Sequence, residues 1–140
     1  MPAVAGIGLC YAPTNSFRIV TDLTLFFWNN YRFEYFEEAF DPGFKNTLTI
    51  NSGFEFLNRI RLFGRNLINP LRMGFIYDPQ PMVDPNSRYL YLTLGTGLRW
   101  PRVSLDFGTM FGWEFGSGDN MTVYRSFISL TIHSPKGDLR

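Results

Sequence analysis

Apolar and polar residues alternate with period two through seven successive segments of this chain. Successive side chains of a strand point to opposite faces, so such a segment is one apolar and one polar stripe. No segment offers the 3.6-residue repeat of an amphipathic helix, and no apolar run approaches the roughly 18 residues of a membrane helix. The pattern therefore predicts an all-β chain of about seven strands.

The segments are 4–12, 17–33, 46–57, 71–78, 88–100, 103–115 and 123–133. In the second, Phe17, Ile19, Leu23, Leu25 and Phe27 oppose Arg18, Asp22 and Thr24. In the sixth, Val103, Leu105, Phe107, Phe111, Trp113 and Phe115 oppose Ser104, Asp106, Gly108, Gly112 and Glu114. Residues 58–69 fit either a strand extension or a small connecting element. The connections at 13–16 and 101–102 are short, and those at 34–45, 79–87 and 116–122 are longer. Residues 134–140 form a polar tail after strands that occupy 1–133.

Alternation does not say whether the apolar stripe meets lipid or a protein core, because a soluble barrel or sandwich gives the same pattern inverted. Four features favour lipid. Most segments have the roughly 9–11 residues of a tilted membrane strand. Short turns at one end and long loops at the other are the habit of outer-membrane barrels. Aromatic residues cluster at both ends of the apolar stripes, with Tyr11, Phe17 and Trp100 towards the short turns and Tyr31, Phe33, Tyr77, Trp113, Phe115 and Tyr124 towards the long loops. Between them the stripes are aliphatic, which is the arrangement of two interfacial girdles. The polar stripes combine small residues with both signs of charge, as a hydrated lumen permits.

Composition agrees. The chain is 45% hydrophobic, with 15 Phe and 7 Tyr, residues that suit a pleated surface. Of 13 basic residues only Lys45 and Lys136 are lysine, and neither lies in a predicted strand, although soluble sheets protect their edges with lysine. A net charge of +1 gives no reason to expect a nucleic-acid partner. The single cysteine, Cys10, and single histidine, His133, offer neither a disulfide nor a metal cluster, so no cofactor is expected. The triplet 95–97 (GTG) sits inside a strand and lacks the helix a phosphate loop needs. His133 has no evident serine partner in the sequence. These features predict a protein that is not an enzyme. The opening residues lack a basic n-region and an unbroken apolar core, so they are not a signal peptide, and an export signal is expected upstream.

Three stretches carry a resemblance. Residues 2–28 (PAVAGIGLCYAPTNSFRIVTDLTLFFW), 45–56 (KNTLTINSGFEF) and above all 70–115 (PLRMGFIYDPQPMVDPNSRYLYLTLGTGLRWPRVSLDFGTMFGWEF) are similar, in that order, to the FadL/TodX-type outer-membrane transport family. The resemblance implies an antiparallel up-and-down transmembrane barrel of fourteen strands in the bacterial outer membrane, of which these seven are the C-terminal half. It implies passage of hydrophobic small molecules, long-chain fatty acids or aromatic hydrocarbons. Its implied partners are outer-membrane lipids, the substrate, and the missing N-terminal half of the barrel or another copy. The chain departs from the pattern in the length of 58–69 and in ending its last strand on Ile132-His133, where an aromatic residue is usual.

The polar stripes contain apolar exceptions: Val20, Phe26, Trp28, Ile76, Met110 and Phe127. We read Phe26, Trp28, Ile76, Met110 and Phe127 as candidate substrate-lining residues of a greasy inner wall; packing on a plug would explain them equally. Arg72 and Arg99 could hold a substrate carboxylate bidentately, or form lumen salt bridges with Asp78, Asp106 or Glu55. Two alternatives to transport stand beside this reading: a structural or adhesive surface barrel, and a soluble ligand-binding β-barrel.

Overall fold

The protein was examined as a computed structural model, which describes residues 1–35, 38–40, 42–62, 64–117 and 119–133. The strands are β1 (Ala3–Thr14), β2 (Phe17–Phe27), β3 (Phe33–Tyr35), β4 (Glu38–Phe40), β5 (Thr47–Leu62), β6 (Arg65–Pro79), β7 (Arg88–Arg99), β8 (Val103–Phe115) and β9 (Thr122–Ile132). A single 3-10 turn, Trp28–Asn30, follows β2. No helix among the described residues is long and apolar enough to cross a membrane.

Seven strands form one antiparallel sheet in the order β1-β2-β5-β6-β7-β8-β9. Each pairs with the strand before and after it, and only the small β3–β4 hairpin intervenes, between β2 and β5. The sheet is open. β1 and β9 have one neighbour each, and both run from the long-loop end towards the short-turn end.

The observed strands follow the alternation closely, with two corrections: the loop expected at 34–45 carries the β3–β4 pair, and the segment 17–33 is shorter than drawn. The segment 17–33 does not continue as strand to its end. β2 stops at Phe27, the chain tightens into the 3-10 turn, and the Tyr31 amide donates to the Trp28 carbonyl at 2.9 Å. Trp28 and Tyr31 therefore belong to the rim and to neither strand face. Residues 58–69 take the first of their two readings, the strand extension. β5 and β6 pair without interruption from Leu57 opposite Pro70 to Leu62 opposite Arg65, so the chain reverses between Leu62 and Arg65. Gly64 sits there at φ +73°, a left-handed value that a side chain disfavours. This is a third short turn, at the same end of the sheet as those after β1 and β7, and its hairpin projects beyond both neighbours: β2 pairs only as far as Phe56, and β7 only as far as Ile68. The tail 134–140 and Asp41 of the loop turn lie outside the described residues.

Register carries each face across the whole sheet. One face joins rows such as Ile7–Leu23–Ile50–Tyr77–Leu90–Trp113. Within the strands its only charged residues are Arg65 and Arg88, each the first residue of its strand. Most of its side chains are uncovered, Ile7 at 65% exposure and Ile128 at 75%, while Leu67 is buried at 2%. The other face carries Arg18, Asp22, Glu55, Arg72, Asp78, Arg99, Asp106, Glu114 and Arg125, together with every glycine of the seven long strands.

The two faces differ in burial although no second layer packs on either. Ser104 is 8% exposed beside Leu105 at 39%, and Glu114 is 2% beside Phe115 at 46%. A flat single sheet would expose both faces equally. The polar face is thus the concave one, and its residues cover each other. Glycine relieves the crowding: a Cβ on Gly97 would lie 2.6 Å from Asp106 Oδ1 and 2.7 Å from the Leu105 carbonyl oxygen.

The turn geometry gives a stability test. Gly64→Ala forces a side chain into the left-handed region and is expected to cost about 1 kcal/mol, lowering the urea midpoint of the folded protein. Gly53→Ala, whose Cβ would meet only the Met73 carbonyl oxygen at 3.7 Å, is expected to leave that midpoint unchanged.

Candidate functional site on the polar face

Antiparallel pairing sets Arg18 opposite Glu55 and Glu55 opposite Arg72. The next two strands put glycine in that row, Gly95 and then Gly108. Without a side chain on β7 to obstruct it, the Arg72 guanidinium reaches over that strand. Its Nη1 donates to Asp106 Oδ1 on β8 at 2.7 Å, and its Nε donates to Glu55 Oε2 at 2.8 Å. Arg99 Nη2 stands 3.6 Å from the same Glu55 oxygen, and Arg18 Nη1 3.8 Å from Glu55 Oε1. The result is a belt across β2, β5, β6, β7 and β8 of three guanidiniums against two carboxylates. Arg72 lies at its centre with both bonds charge-assisted, the stronger class of hydrogen bond.

On the long-loop side of the belt the concave face changes character. The paired glycines Gly53 and Gly74 form the floor of a hollow of about 420 Å³, walled by Val20, Asp22 and Ile76 and bounded by Arg18, Glu55 and Arg72. Beyond it come Thr93 and Met110 in one row, and Tyr91, Gly112 and Val123 in the next. This mid-wall patch is small and weakly polar, with Asp22, Asn51 and Arg125 at its margins.

The rim beyond the patch has two parts. Trp28 stacks on Phe26 with centroids 6.3 Å apart and meets Tyr31 and Phe44 edge-on, each at 5.9 Å. Further round, Glu114 accepts from Ser87 Oγ at 2.7 Å, from Ser117 Oγ at 2.6 Å and from the Ser117 amide at 3.0 Å. That carboxylate fastens the 116–121 loop to the 80–87 loop. The Lys45 amide, in turn, donates to the Pro81 carbonyl at 2.9 Å, and the Lys45 ammonium donates to Asn86. The loops are thus tied to one another by side chains that the strand pattern does not report.

The candidate residues divide accordingly. Ile76 lines the hollow, and Met110 lies in the same row as its Val20 wall and Gly74 floor. Phe26 and Trp28 are brought together, but at the rim. Phe127 stands apart on edge strand β9, 62% exposed, its ring covering Gly108. Arg72 and Arg99 are both held by Glu55, which matches the salt-bridge alternative for these two residues. Cys10 and His133 lie on opposite edges of the sheet. His133 does find a serine: Ser104 Oγ and His133 Nε2 are 3.1 Å apart. Among the described residues no acidic side chain bonds to either of them: Asp106, two residues from Ser104 on the same face, is held by Arg72. The sequence analysis missed this pair, because residues so distant in the chain meet only through the β8–β9 register. The Glu114 network was equally hidden.

Comparison with protein-family models, with curated proteins and with solved structures finds no match to the chain.

The belt makes a specific forecast. Arg72→Met leaves Asp106 without a cation, whereas Glu55→Gln leaves Arg72 on Asp106. The first is expected to destabilise the folded protein by about 1–3 kcal/mol and the second by less. A double-mutant cycle between Arg72→Met and Asp106→Asn, read from urea midpoints, is expected to give a coupling of about 1 kcal/mol; additivity would mean the two side chains do not interact.

Proposed function

We propose that the chain is a wall of an outer-membrane β-barrel that passes hydrophobic small molecules, long-chain fatty acids or aromatic hydrocarbons, across the bacterial outer membrane. One observation carries the membrane reading: the convex face of the sheet is uncharged except at two strand starts, it is mostly uncovered, and it extends unbroken over seven strands. Water would penalise such a face by about 25 cal/mol for each Å², while lipid accepts it. Lipid also requires every backbone group to be paired within the protein, which antiparallel strands do once the sheet is closed. The open edges therefore call for another β-segment, the N-terminal half of the barrel or another copy.

Transport is supported by the mid-wall patch. Val20, Ile76 and Met110 lie on the lumen side among glycines, between the aromatic rim and the charged belt. A hydrophobic molecule entering from the long loops meets Phe26 and Trp28 first and this patch next. A second reading, a structural barrel without transport, is favoured by the belt itself, since Arg72 bound to both Glu55 and Asp106 stiffens the wall and offers no free cation to a substrate.

Two adjacent residues test the orientation. Leu92 is on the convex face and Thr93 on the concave. Leu92→Arg is expected to weaken insertion into lipid vesicles by roughly 2–4 kcal/mol, and Thr93→Arg to leave it intact. Equal effects would end the membrane reading. For transport, Ile76→Asp and Met110→Asp are expected to slow entry of a fluorescent long-chain fatty acid into vesicles carrying the protein by about tenfold, with insertion retained; unchanged entry would favour the structural barrel.

A further inference from the structure

The two ends of the sheet are electrically opposite. Beyond the belt, at the short-turn end, lie Arg59, Arg61, Arg65 and Arg102, all exposed and, among the described residues, none ion-paired. Among the described residues that end has no aspartate or glutamate at all. Asp78, Asp84, Glu114 and Asp119 lie at the long-loop end and there outnumber Lys45 and Arg88. Unpaired arginines held close together repel one another, so their clustering on one projecting hairpin and the adjacent turn calls for an anion.

Two of the four frame a hollow. Arg65 starts β6 on the convex face, and Arg102 lies in the β7–β8 turn, where its carbonyl is fixed by the His133 amide at 2.8 Å. Together with Trp100, Pro101 and Val103 they line a space of about 530 Å³. Its position is informative. Val103 is opposite Ile132, and the same strand continues as Leu105 and Phe107, so the apolar convex face begins at the floor of this hollow. Trp100 stands at the boundary, where an indole prefers the headgroup zone. A molecule that fits both parts has an anionic group for the arginines and hydrocarbon chains for the strip below.

We propose that Arg65 and Arg102, with Trp100 between them, form a binding site for the phosphate of an anionic glycerophospholipid in the leaflet at the short-turn end, the acyl chains lying along Val103 and Leu105. Arginine suits this task because its planar fork holds phosphate oxygens bidentately. Arg59 and Arg61, on the concave side of the same hairpin, raise the local potential without touching the lipid. The site rests on the membrane reading and adds to it a preferred lipid and a preferred leaflet.

The test is native mass spectrometry of the full chain in detergent, titrated separately with phosphatidylglycerol, phosphatidylcholine and inorganic phosphate. Phosphatidylglycerol is expected to be retained at least tenfold more tightly than phosphatidylcholine. Arg65→Gln with Arg102→Gln is expected to weaken it by roughly thirtyfold, about the worth of two basic residues at an anionic surface. Arg88→Gln, at the opposite end of the sheet, is expected to leave it unchanged. Equal retention of both lipids, or of phosphatidylglycerol by the double variant, would overturn the site. Inorganic phosphate binding as tightly as the lipid would overturn the lipid assignment. Insertion into vesicles, measured alongside by resistance to carbonate extraction, separates the two readings: an inserted protein with arginine-independent lipid binding sinks only this inference, and a protein that never inserts sinks the membrane reading.

Discussion

A sheet with no second layer has nothing but its own ladders to hold it. In this protein every long strand is bonded to its sequence neighbours, and contacts between elements follow the sheet order. There is no interior in the usual sense. Among the residues whose burial is described, Leu67, at 2% exposure, is the single buried large aliphatic or aromatic residue. Stability must come from backbone pairing, from cross-strand side-chain pairs and from whatever solvent the convex face meets. Curvature follows from the same constraint. Glycines on one face allow the strands to bend towards it, and the bending brings Arg72, Glu55 and Asp106 within reach of one another.

The belt and the hollow are two consequences of where those glycines fall. Opposite Arg72, Gly95 opens a lane over β7, and the guanidinium fills it. One row further, Gly53 and Gly74 face each other with nothing long enough to fill the gap, so a cavity remains. A substitution pattern with the same hydrophobic alternation and alanine or valine at these places would keep the strands but close both features. The chemistry of the concave face is thus decided by absent side chains as much as by present ones.

Much of the architecture was legible in the chain because period two is read directly from side-chain chemistry. The strands β1, β7, β8 and β9 lie within a residue or two of the segments drawn from alternation. Where the reading failed, alternation had lost its contrast. Leu57 to Leu67 mixes arginine, asparagine and leucine on both faces, since the tip of a hairpin that projects beyond its neighbours is wet on each side; the reversal is marked only by Gly64. Beyond Phe27 the aromatic run 26–28 (FFW) continues to look like strand, yet Trp28 stacks back on Phe26 at the rim. The belt was legible as a choice of partners, but which partner each arginine takes depends on register, and register is a property of pairs of strands. Ser104 with His133 and Glu114 with Ser87 and Ser117 are invisible for the same reason.

The number of long strands has a further consequence. Because it is odd, β1 and β9 point the same way. A second copy related by an axis along the barrel would bring β9 of one beside β1 of the other in parallel, and both seams would carry the slanted, slightly weaker ladder in an otherwise antiparallel wall. Turning the copy over repairs the ladders but exchanges its long loops with its short turns, so that the acidic and basic ends would alternate around the rim. A β-segment of odd strand number whose outer strands run opposite to β1 and β9 meets neither difficulty. The shared direction of β1 and β9 thus fixes the strand direction of any segment that would continue the antiparallel ladder at either edge.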